Sequence, residues 1–150
     1  MSIIIKSPLS VPISKKKQFI LNLNNYRNLF YRLLNISKIN YKEIVKQQIQ
    51  ELLPDGLEKI AVIYRVYKGD KRRFDLGNIC SVHEKYFEDA VVELGKLPDD
   101  KYNNIISVVF LLGGIASENP RVDIEVYDMN DEYDKKCFYR DIKEGKWYTI

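Results

Sequence analysis

Little in this chain of 150 residues invites disulfide or zinc chemistry. Its two cysteines, Cys80 and Cys137, form no C-x-x-C pair and no disulfide framework, so a reducing cytoplasm is expected. Nothing around them argues for a lowered thiol pKa, and both read as unpaired thiols. The one histidine, His83, falls on an apolar helical face and reads as a core or rim residue rather than a ligand. No apolar run approaches the roughly 20 residues that span a bilayer. The longest, Ile105 to Leu112, is strand-sized. The opening Met-Ser-Ile-Ile-Ile-Lys lacks the charged-then-apolar pattern of a signal peptide. Acids are nearly missing from residues 1–50, where Glu43 stands alone against nine Lys and Arg (Lys6, Lys15, Lys16, Lys17, Arg27, Arg32, Lys38, Lys42 and Lys46).

That imbalance gives the first fifty residues a charge of +8, and the net charge of +3 then leaves −5 for the other hundred. A basic arm on an acidic body is the outline of a nucleic-acid partner, and also of a merely solvated Lys-rich surface. Hydrophobic residues at 45% and charged residues at 30% exclude intrinsic disorder and suit one globular domain over residues 1–150.

The elements follow from periodicity. An extended or loosely ordered lead-in is expected over residues 2–18, with Pro8 and Pro12, then a short strand over 18–23 and a polar loop at Asn22 to Asn28. A helix follows a cap at Ser37 or Asn40, because Tyr41, Ile44, Val45, Gln48, Ile49 and Leu52 share one face. Pro54-Asp55-Gly56 stops it. Alternating Ile60, Val62, Tyr64 and Val66 give a strand. A second helix over 78–94 carries Ile79, Val82, His83, Tyr86, Phe87, Ala90 and Val91 inward and stops at Gly95. Strands are expected at 105–112 and 122–126, with Gly113-Gly114 as a break between them and a last strand over 146–150. Strict βαβ alternation is missing, so the class is α+β: a small mixed sheet of about four to five strands packed against two main helices.

The chemistry concentrates around the second helix. Asp75 precedes it, Asn78, Val82, Lys85 and Asp89 form one stripe at the rim of its apolar face, and Asp99-Asp100 follow it. Carboxylates converging on one place repel unless cations intervene, and hard oxygen donors select Mg²⁺ or Mn²⁺. Beside a basic surface, such a site suggests metal-assisted phosphodiester hydrolysis with Lys85 neutralising the phosphate. The same residues also fit plain structural roles: a helix cap at Asp75, a turn at Asp99-Asp100 and a surface pair at Lys85 and Asp89.

The run Arg72-Arg73-Phe74-Asp75-Leu76-Gly77-Asn78, then Lys85, Asp89-Ala90, Gly95 and Asp99-Asp100, resembles the RusA family of Holliday-junction resolvases. Leu23-Asn24-Asn25-Tyr26-Arg27 and Asn119-Pro120-Arg121-Val122 are similar to its N-terminal loop and closing strand, so the likeness covers residues 18–128 and leaves 129–150 as an extension of unknown role. The resemblance implies a homodimer that nicks four-way DNA junctions symmetrically, with Mg²⁺ or Mn²⁺ as its only cofactor, in a bacterial host cytoplasm and a phage setting. It makes Asp75, Asp99 and Asp100 metal ligands and Lys85 the phosphate-neutralising cation. Gly77 stands where the family has a second Asp, and about four extra residues separate Asn78 from Lys85. Asp89, or else Glu88, His83 or a water, is then the replacement ligand. A DNA-junction binder that has lost cleavage is the competing reading. Lys15, Lys16, Lys17, Arg27, Lys71, Arg72 and Arg73 are the expected DNA contacts, bonding phosphate without reading sequence.

Overall fold

Strand β1 (Ile3–Pro8) takes the extended form of the expected lead-in, as a paired strand rather than a loose one. In the computed structural model, which describes residues 3–143, it pairs antiparallel with a strand more than a hundred residues away, Ile5 opposite Ile124. Pro8 is tolerated because β1 is an edge strand and Pro8 is its last residue. Strands β2 (Ser10–Pro12) and β3 (Gln18–Ile20) form a separate antiparallel ribbon, and Lys15, Lys16 and Lys17 sit exposed in the turn that joins them.

Helix α1 (Leu23–Asn28) replaces the expected polar loop. Its asparagines work locally: Asn22 Oδ1 accepts the Asn25 N–H at 2.8 Å as the N-cap, and Asn28 Nδ2 donates to Asn24 O at 2.8 Å. Helix α2 (Tyr31–Leu52) begins well before Ser37 and Asn40, which are not caps. Ser37 Oγ bonds Leu34 O and the Tyr86 hydroxyl at 2.6 Å each, and Asn40 Nδ2 donates to Pro12 O at 2.7 Å. Of its expected inner face, Tyr41, Val45 and Ile49 are buried, whereas Ile44 and Leu52 are about half exposed.

Strand β4 (Ile60–Lys68) and helix α3 (Leu76–Glu93) fall where periodicity places them. Gly95 ends α3 at φ 76°, and the Gly95 and Lys96 N–H groups donate back to Val92 O and Val91 O at 3.0 Å. Strand β5 (Ile105–Ile115) runs through Gly113-Gly114 rather than breaking there. Strand β6 (Arg121–Asp128) and helix α4 (Glu132–Lys143) complete the described chain, and the strand expected over 146–150 lies outside the described residues.

The four-stranded sheet has the order β1-β6-β4-β5. β4 and β5 are parallel, joined through α3, and the other pairings are antiparallel, so the α+β expectation holds with four sheet strands and a detached ribbon. β4 is buried on both faces. Val62 and Tyr64 join the core with Tyr41, Val82 and Phe87 under α2 and α3. Ala61 and Ile63 point the other way, into a smaller core with Tyr127, Met129, Cys137 and Phe138 under α4. α4 is also tied down by the Tyr127 hydroxyl, which donates to Asp141 Oδ2 at 2.7 Å. Among the described residues no helix is long and apolar enough to cross a membrane.

Gly113 has a packing reason. The β4–β5 register slips between Val66, opposite Leu112, and Tyr67, opposite Gly114, which leaves Gly113 as the extra residue. A Cβ there would lie 2.7–2.9 Å from Tyr67 ring carbons, and that ring lies under the Arg121 guanidinium at 4.4 Å. Gly113→Ala is therefore expected to cost about 1–3 kcal/mol in urea unfolding, as an overpacked site does. An unchanged midpoint would show that Tyr67 swings away freely.

Candidate active site

α3 supplies most of the candidate site because a second stripe of its residues lies beside the buried one. Ser81, Glu84, Lys85, Glu88 and Asp89 line a cavity of about 450 Å³, faced by Lys38 of α2, Tyr26 of α1 and Asp100 of the following turn. The spacing of three to four residues stacks Ser81, Glu84 or Lys85, and Glu88 on successive turns. Ser81 Oγ is turned back onto Gly77 O at 2.5 Å.

Four carboxylates and two ammonium groups thus share one hollow. Glu88 is pushed up to about 8, first by burial and then by Glu84, Asp100 and Asp89, with Lys85 opposing. Glu84 and Asp89 are raised as well, mainly by burial; Lys85 opposes the first and Lys38 the second. The two lysines bracket one ring: Lys38 Nζ and Lys85 Nζ each lie 5.9 Å from the Tyr26 centroid. The site therefore combines acidic groups with two ammonium groups over an aromatic ring.

The structure brings Lys85, Asp89 and Asp100 into this hollow. Asp99 stands at its edge: its Oδ1 accepts the Asp100 N–H at 2.8 Å, and its Oδ2 pairs with Lys101 at 3.4 Å. That bond to the Asp100 N–H, with Lys101 adding to it, holds the Asp99 carboxyl below its ordinary range. Asp75 is elsewhere. Its Oδ1 caps α3 by accepting the Gly77 N–H at 2.8 Å, roughly 20 Å along the helix from Glu88 at 1.5 Å per residue. A Cβ on Gly77 would sit 3.3 Å from that oxygen, so an Asp there would crowd the cap with like charge. Glu84 and Lys38 enter the site without having been expected. The signal for Glu84 was its place one turn before Glu88; for Lys38 there was none within its own helix. His83 is fully buried and takes no part.

The expected DNA contacts fall into separate groups. Lys15, Lys16 and Lys17 crown the β2–β3 turn, Arg27 is exposed on α1, and Lys71, Arg72 and Arg73 lie in the exposed connection from β4 to α3. Arg72 is partly neutralised, its Nε 2.8 Å from Asp70 Oδ2. Cys80 and Cys137 are free and buried, and burial pushes the Cys80 thiol up to about 12, which keeps it unreactive.

The donor set fits a hard divalent cation: carboxylate oxygens, no thiolate and no imidazole. Among the described residues no three His, Cys, Asp or Glu side chains are already drawn together at ligating distance. The class defined by fold and site is a small α+β protein with an acidic, lysine-flanked hollow. No family model matches the chain, and no curated protein does.

Proposed function

We propose that this protein is a RusA-like endonuclease that nicks four-way DNA junctions with Mg²⁺ or Mn²⁺. The observation that carries the reading is the gathering of Lys85, Asp89 and Asp100, singled out by helix spacing and by the resemblance, into one hollow with Glu84 and Glu88. Glu88, Asp89, Asp100 and Glu84 are the residues that would hold the cation. A divalent ion bound there would supply Lewis-acid charge and a more acidic bound water. Lys85 and Lys38 sit where they neutralise a phosphate entering the hollow, and Tyr26 keeps both close to the opening. The basic β2–β3 turn and Arg27 supply contacts that bond phosphate without reading sequence.

The homodimer is part of the proposal, because two symmetric nicks need two sites. What supports it is β5, which among the described residues ends the sheet and has no charged residue from Ile105 to Ile115, with Ile106 46% exposed. Such an apolar, unguarded edge is a template for a second strand. The competing reading, a junction binder without cleavage, is favoured by Gly77 and by the use of Asp75 as a cap outside the hollow. A synthetic four-way junction, incubated with and without Mg²⁺, separates the two: paired nicks support the nuclease, and retention without nicks supports the binder.

Glu88 gives the site a pH signature. Its folded pKa of about 8 lies above the ordinary 4.5, so the native state holds a proton that the unfolded chain releases between those values. The stability this contributes is full below 4.5 and is lost as pH rises through 8. Glu88→Gln is therefore expected to raise the melting temperature at pH 8.5 by a few degrees and to leave it nearly unchanged at pH 4.5. A parent protein that gains no stability from Mg²⁺ at pH 8.5 would count against a cation site here.

A further inference from the structure

Three of the four cations between Lys68 and Arg73 converge on one cavity. Lys68, the last residue of β4, is 8% exposed, and its Nζ lies 4.8 Å from the centroid of the Phe74 ring. Lys68, Lys71 and Arg73 line one cavity of about 560 Å³, whose other walls are Phe74, Leu76 and Leu112. Among the described residues no carboxylate belongs to that lining. Among the described residues none of these three cations forms an ion pair; Asp70 feels Lys68 only at longer range. Arg72, in the middle of the same segment, contrasts with them: its side chain is 89% exposed and paired with Asp70.

The Lys68 ammonium lines this cavity beside the Phe74 ring, so three cations share one opening without a partner carboxylate among the described residues. The cavity therefore wants an anion, and its apolar side wants a flat, weakly polar body. Both demands are met by one ligand class. We propose that this cavity seats a single unstacked nucleotide of a DNA strand, its phosphate against Lys68, Lys71 and Arg73 and its base against Phe74 and Leu112. The volume lies within the roughly 300–1,000 Å³ of small-ligand sites, and an aromatic wall accepts any base because every base has a π-face. The choice of DNA rests on the nucleic-acid reading above; the cavity itself needs neither the metal nor cleavage.

Binding of fluorescein-labelled oligothymidine to the intact protein, followed by anisotropy in EDTA at low salt, tests this without reference to nicking. Unlabelled thymidine 5′-monophosphate is expected to compete at least tenfold better than inorganic phosphate, thymidine or a phosphoserine peptide. Lys68→Met, which keeps the buried stem, is expected to weaken oligonucleotide binding about tenfold and Phe74→Leu about fivefold. Lys71→Ala with Arg73→Ala alters only exposed side chains, so it probes the same cavity should the Lys68 variant fail to fold. Lys136→Ala, at an exposed position of α4, should change binding less than twofold. Parent-like binding by the Lys71/Arg73 and Phe74 variants overturns the proposal, as does competition by phosphate or the phosphopeptide equal to that of the nucleotide. Oligothymidine binding that depends on these residues in a protein that never nicks a junction would retain the cavity and remove the nuclease. Junction nicking with no such dependence would do the reverse.

Discussion

Asn in place of Asp100 is expected to reduce Mg²⁺-dependent junction nicking by roughly a thousandfold, which corresponds to about 4 kcal/mol of transition-state stabilisation. Among the described residues Asp100 is the one carboxylate of the hollow that does not come from α3, so it joins the acidic groups from a different segment. The Asn side chain keeps the shape and removes the charge that a cation needs. Junction retention on a gel should stay within a few fold, because the basic turn and Arg27 are untouched. The fold should also survive: Asp100 is exposed, and its charge raises Glu88 and Asp89 rather than pairing with a cation.

Asp75 makes the contrast that gives this result its meaning. The RusA resemblance makes it a metal ligand, whereas its geometry makes it the N-cap of α3. Asn caps about as well as Asp, so Asp75→Asn should leave both stability and nicking close to the parent, and Asp75→Ala should cost about 1 kcal/mol of stability. Nicking that survives Asp100→Asn removes the hollow as the site. Equal loss at Asp75→Asn moves the chemistry to the other end of the helix.

The helices and strands that periodicity found are those whose side chains pack directly on the sheet. Val82, Tyr86, Phe87, Ala90 and Val91 are all buried, and their spacing is the helical period itself. β1 escaped because its partner is β6: pairing over more than a hundred residues leaves no mark within a window of ten. The first turns of α2 escaped because Tyr31, Ile36 and Ile39 are exposed and blur the pattern, while Ser37, a cap by type, is buried against Tyr86. The hollow was half legible. Lys85, Asp89 and Asp100 stood out by order and spacing; Glu84 resembled a solvated residue, and Lys38 arrives from another helix. Asp75 shows the opposite failure, since its position before a helix is equally that of a ligand and of a cap.

The second large effect belongs to the core rather than the hollow. His83 is fully buried; its Nδ1 lies 2.7 Å from Ser7 Oγ, which also lies 2.6 Å from the Tyr41 hydroxyl. Among the described residues Nε2 has no hydrogen-bond partner, so a protonated ring would bury a charge with one N–H left unbonded. Burial accordingly pushes His83 down to about 3, against an ordinary 6.5. Between those values the unfolded chain carries a proton that the native state refuses. The stability this represents is full above pH 6.5 and is lost as pH falls toward 3, on the order of 5 kcal/mol in all. That is a large share of the roughly 5–15 kcal/mol that holds an ordinary domain together. Glu88 acts in the opposite sense between pH 8 and 4.5 and nearly cancels the slope from 6.5 to 4.5. Urea unfolding of Glu88→Gln is therefore the clean measurement, with stability expected to fall by about 1.4 kcal/mol per pH unit once pH is below 6. A flat profile from pH 6 to 4.5 in that variant would mean that His83 gains an acceptor at Nε2 on protonation, and that the buried chain from Tyr41 through Ser7 tolerates charge.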